Sequence, residues 1–258
     1  MEKKFELTDN FIINAFGVKL FQIKCTKSFK YVKEGDLGGY VEKDENLDQK
    51  GNAWVYGNAE VSGNAWVSGD AWVSGNAWVS GNAWMSGDAW VSGNARVYGN
   101  AEVSGDAWVY GDAWVYGNAE VSGNARVSGN AEVSGNAWVY GDAQVYGDAR
   151  VYGDARVYGD AEVSGDAWVY GDARVYGDAE IDNNNKHCGF DCFGSANHHA
   201  HAYLTKENKV EITCGCFRGS IEEFEKRVEE THSGTIYEKQ YKAIIDVIKI
   251  KFGLTDLI

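Results

Sequence analysis

Residues 51–182 are a single hexapeptide, Gly-(Asn/Asp)-Ala-x-Val-(Ser/Tyr), written 22 times without a break. Gly and Ala never vary, and Val gives way only at Met85 and Ile181. A short fixed period of this kind is the signature of a solenoid. The fourth place decides which side faces out. It holds Trp54, Glu60, Trp66, Arg96, Gln144 and Arg174 among others. A place that takes Trp, Glu, Arg and Gln alike cannot be interior, because unpaired buried charge is too costly. Strand side chains alternate, so Ala and Val fill the core while x, and then Ser or Tyr at the strand end, point outward. Gly-Asn or Gly-Asp makes the corner, where Gly supplies unusual dihedrals and Asn or Asp tolerates a tight turn.

A core of Ala and Val is narrow. Short strands with a corner in every unit suit a three-sided coil built from three hexapeptides, so 22 units give a little over seven coils. At the usual strand spacing the rod is about 35 Å long, and each coil is held by its neighbours. The unit resembles the hexapeptide repeat of left-handed parallel β-helices, shifted so that Ser or Tyr stands between the inward aliphatic and Gly, as in Val61-Ser62-Gly63-Asn64-Ala65. The left hand is what the resemblance implies. General crossover rules favour the right hand, which leaves a right-handed β-helix as the alternative.

The net charge of −14 is unevenly placed: residues 1–50 are neutral, residues 51–182 carry −13 and residues 183–258 carry −1. An acidic rod disfavours direct nucleic-acid binding, which needs Lys and Arg at the phosphates; it also keeps a repetitive β-protein from aggregating. No apolar run is long enough for a membrane span, and the first residues lack the apolar core of a signal peptide. Five Cys without an export signal read as reduced thiols, so a cytoplasmic location is expected.

With three units per coil, every third unit returns to the same face and equivalent side chains stack in columns. Trp54, Trp72, Trp90 and Trp108 form one, expected to be exposed and continued by Arg126, Gln144, Glu162 and Glu180. Tyr140, Tyr158 and Tyr176 form another beside Arg156 and Arg174. Asp70, Asp88 and Asp106 stack at one corner, Asn64 to Asn136 at a second. Surface aromatics in a row mark a contact face, so these Trp and Tyr columns are the candidate binding residues. Like residues on successive rungs also stiffen a rod with no partner at all.

The ends are caps. In residues 1–50, Leu20–Lys24 reads as a strand, and a turn-rich stretch from Glu34 leads into the first coil. Residues 183–258 read as a small α+β cap: a hairpin over 201–213, a helix opened by the capping box at Ser220–Glu223 and running to about Glu230, and a second helix over 237–252. Cys188, Cys192, Cys214 and Cys216 lie in this cap, but the Cys-x-Cys spacing is tight for two ligands of one zinc, and no metal or cofactor is expected. The strand, the Glu34–Val41 stretch and the repeats together resemble the YdcK-type hexapeptide-repeat proteins. The tail from Thr213 to Phe224 resembles a module of Firmicutes prophage and mobile-element proteins. Neither resemblance implies an established activity.

Three functional classes follow. Many left-handed β-helix proteins are coenzyme A-dependent acyltransferases with a His base on the coils; here residues 51–182 contain no His and no inserted loop, so no catalytic residue is expected. An acidic decoy that mimics DNA would use the charge of the rod. A non-catalytic interaction solenoid, related to phage or mobile elements and acting through its ladders on a protein partner or on another copy of itself, fits the near-identity of the units best.

Overall fold

The computed structural model describes residues 3–254. Each unit contributes one short strand, β4 (Trp54–Val55) through β25 (Glu180–Ile181), and each strand away from the ends of the rod pairs in parallel with those three units before and after it. Three parallel faces result. The repeat Ala and Val side chains are buried throughout and merge into one core along the rod. Every repeat Gly has a positive φ, from 58° to 77°. The corner Asn side chains form hydrogen-bonded ladders: Asn64 donates to Asn82, and the chain of bonds runs through Asn100, Asn118 and Asn136 to Asp154. The Ser positions depart from expectation. Ser62, Ser68, Ser80, Ser134 and Ser164 are buried, not exposed, because outward side chains of the next coil lie over some of them, as Trp84 does by donating to Ser68 Oγ at 3.4 Å.

The solenoid begins before the first regular unit. Strands β1 (Phe5–Ile13), β2 (Lys19–Cys25) and β3 (Leu37–Val41) form an antiparallel cap, and β3 then pairs in parallel with the rod, Val41 opposite Val61. One hexapeptide step further on, Leu47 bridges to Val67, with Asn46 donating to the Ala65 carbonyl at 2.8 Å. The cap thus supplies two irregular strand positions of one further coil, and the solenoid has about eight turns where the repeat count gives a little over seven.

At the other end, strands β26 (His187–Phe193), β27 (His198–Leu204), β28 (Val210–Cys214) and β29 (Phe217–Ser220) form an antiparallel sheet. One face meets the last coil through Tyr203, which joins the rod core. The other is covered by α1 (Ile221–His232) and α2 (Ile236–Lys251), with Phe224, Val228, Tyr241, Ile244, Ile245 and Ile248 buried. Ser220 and Glu223 form the expected capping box. No helix among the described residues is long and apolar enough to cross a membrane.

Candidate functional site

The Trp column forms in the expected register, but its first member is not a surface residue. Trp54 is fully buried: Phe5 and Phe29 pack edge-on to its indole at 6.5 and 5.6 Å, so the cap closes over it. Trp72 is half-buried beside Tyr31, whose ring stands at 63° to it. Trp90 and Trp108 are 39% and 42% exposed, with ring centroids 5.2 Å apart.

The Asp corner lies beside them. Three successive coils on this face read Gly-Asp-Ala-Trp-Val, placing Asp70 with Trp72, Asp88 with Trp90 and Asp106 with Trp108. They line one open cavity of about 330 Å³ together with Lys30 and Tyr31. No other face repeats this pairing on consecutive coils. Both ends of the strip are closed. Below, Asn52 Nδ2 donates to Asp70 at 2.9 Å and Trp54 is buried. Above, the pattern changes to Asn124 and Arg126, and the Arg126 guanidinium lies over the Trp108 ring at 5.6 Å.

Lys30 and Tyr31 sit at the tip of a tight turn in the cap, closed by paired backbone hydrogen bonds between Phe29 and Val32. Lys30 has φ 40°, a left-handed conformation that glycine adopts freely and lysine does not. Its ammonium lies 3.2 Å from Asp70 and 3.8 Å from Asp88, between carboxylates of successive coils. The hydrogen bond from Asn52, reinforced by Lys30, holds the Asp70 carboxyl below its usual range. Asp106 forms no ion pair among the described residues. Column arithmetic gave the Trp and Asp rows; nothing in the sequence placed Lys30 against them, because that contact depends on how the cap folds back.

The Tyr column is built differently. Tyr140, Tyr158 and Tyr176 stack face to face at 4.7 Å and are half-buried, and Arg218 of the C-terminal sheet covers Tyr176 at 4.1 Å. Their position is that of a ladder docking the end module. Beyond it, His187 Nδ1 and His201 Nε2 lie 3.0 Å apart. Burial pushes His187 down to about 4 and His201 well below its usual value. Asp191 binds His199 Nδ1. These rings share a cavity of about 360 Å³ with Trp168 and Tyr170. Among the described residues no group of three or more His, Cys, Asp or Glu is placed to hold a metal ion.

A family model, the YdcK beta solenoid repeat, matches residues 89–104, 119–135, 125–141, 143–159 and 155–171, all within the rod. The chain is a β-solenoid repeat protein. No curated protein matches it. The matched segments include Trp90 and leave Asp70, Trp72, Asp88, Asp106 and Trp108 outside, so the repeat identifies the scaffold and not the strip.

Proposed function

We propose that this solenoid is a non-enzymatic binding scaffold, and that its working surface is the Asp–Trp strip, which engages a basic protein partner. The observation that carries this reading is the coincidence of two independent choices, Asp at the second place and Trp at the fourth, over three consecutive coils that share one cavity. Indole faces supply area at little entropic cost, adjoining carboxylates favour a cationic partner, and the charge of −13 on residues 51–182 steers one in. The tail's resemblance to mobile-element modules supports a partner met during propagation of such an element.

Light scattering of the wild type beside a Trp90→Ser/Trp108→Ser variant is the first test. Both should be folded and monomeric. A partner captured from host lysate, once identified and purified, should bind the double variant at least about tenfold more weakly, and binding should weaken with salt. A wild-type oligomer that the substitutions dissolve would make the strip a self-association face. Unchanged affinity of the variant would remove the strip from the interface.

A further inference from the structure

The strip repeats itself, and one of its positions is already filled. The units at residues 69–74 and 87–92 are identical, and 105–110 differs only by Tyr110 at its last place. Successive Asp–Trp pairs are therefore near-copies, one rung apart on the same face. Between the first two carboxylates, Asp70 and Asp88, lies the ammonium of Lys30, held there by a turn whose backbone favours glycine. The equivalent position one coil further on, between Asp88 and Asp106 and beside Trp90 and Trp108, holds no cationic side chain from the described residues, yet it belongs to the same cavity. Tyr31, 79% exposed, stands edge-on to Trp72 beside the filled position.

We infer that the open position between Asp88 and Asp106 takes a lysine side chain of the partner, and that Lys30 is an intramolecular occupant of the adjoining position. This rests on the strip being the working surface. Three features favour lysine. A compact ammonium fits between two carboxylates on neighbouring rungs, as Lys30 does. The methylenes behind it lie along indole, where an amphipathic stem is stabilised. A ring face also attracts the cation itself. A partner strand carrying basic residues could place one in the open position and, by displacing Lys30, a second in the filled one.

Calorimetric titration with pentalysine amide tests this, with fully Nε-acetylated pentalysine as control. The wild type should bind the first and not the second, less tightly as salt rises. Asp106→Asn should weaken binding roughly threefold or more, and it should fold, since Asn stands at the same place in the units of Asn52 and Asn124. Asp112→Asn, a Gly-Asp-Ala-Trp unit on another face, should leave binding unchanged. Lys30→Gly should tighten binding or raise its stoichiometry by freeing the second position. Equal losses in Asp106→Asn and Asp112→Asn would reduce the effect to general acidity and overturn the inference, as would the absence of pentalysine binding. If pentalysine fails to bind while Trp90→Ser/Trp108→Ser still loses the natural partner, the lysine position is wrong and the strip stands.

Discussion

The corner glycines allow a controlled test of how tightly the coils stack. Gly57, Gly87 and Gly171 share the same backbone conformation, with φ of 68°, 67° and 65°. Their surroundings differ. A Cβ at Gly87 would come within 2.8 Å of both N and O of Gly105 in the next coil. At Gly57 the nearest atom is Gly75 O at 3.4 Å, and at Gly171, where the next coil is missing, it is Asp191 Oδ1 at 3.8 Å. Alanine at any of the three meets the left-handed penalty of about 1–2 kcal/mol, partly offset by the reduced entropy of the unfolded chain. Those contributions are common to all three. Only Gly87→Ala must also push the next rung away, and overpacking of this kind costs about 1–3 kcal/mol.

Gly57→Ala and Gly171→Ala should therefore lose similar, small amounts of stability, and Gly87→Ala about 1–3 kcal/mol more. Urea unfolding followed by circular dichroism measures the difference through the shift in midpoint, provided the slope is unchanged. Coils of a solenoid need not unfold together, so hydrogen exchange at the Asp70 amide, which donates to Gly87 O at 2.8 Å, gives a local check. If all three variants agree within about 0.5 kcal/mol, the rungs yield freely at their corners and backbone conformation alone selects glycine.

Trp54→Ala should cost about 3–5 kcal/mol in urea unfolding, since it empties a fully buried site beneath the cap, while Trp108→Ala should stay within about 0.5 kcal/mol of wild type apart from lost stacking. Burial lowers Lys4 to about 8. The unfolded chain then binds an extra proton between pH 8 and the unperturbed value of 10.5, so stability should rise with pH across that window by up to about 1.4 kcal/mol per unit; Lys4→Gln should flatten the rise. Ser220→Ala should cost about 1 kcal/mol by removing the cap of α1, read as a loss of helical signal in the C-terminal module.

The parts of the fold legible in the sequence are those where one cause acts alone. The period set the coil, the Ala and Val core and the columns, so Trp72 falls opposite Trp90 as three units per coil require. The helix containing Tyr241, Ile244, Ile245 and Ile248 was legible from its spacing. Strand β1 was not, because Asp9 and Asn10 interrupt its apolar alternation and the strand shifts register between Leu7 and Phe11. Nor were the two strand positions that the cap adds to the rod: Val41 and Leu47 keep the hexapeptide step, but the interval from Leu47 to Val55 is longer than one unit, which hides their phase. The burial of Trp54 shows the limit of the outward-facing fourth place. That place is outward from the coil, and whether it meets solvent depends on what the rest of the chain lays over it.

The same logic separates architecture from function and supplies the sharpest test of the strip. Any whole number of hexapeptides preserves the Ala and Val core, so removing one or two units is compatible with the fold. It is not compatible with the columns, because every later unit moves to a different face. Deletion of 93–104, two whole units, should leave a folded rod but carry Asp106 and Trp108 away from Asp88 and Trp90 and set Asn118 and Glu120 in their place; deleting one unit alone would bring Asp112 and Trp114, an identical unit, onto the strip. Deletion of 129–146, three whole units, removes a full coil beyond the strip, and Asp70 to Trp108 keep their faces. The two deletions thus invert the usual expectation: the smaller should abolish pentalysine and partner binding to the strip, and the larger should spare both. Circular dichroism confirms that each rod is folded. If the two-unit deletion binds as the wild type does, binding follows composition, and the alignment of Asp and Trp on successive coils has no role in it.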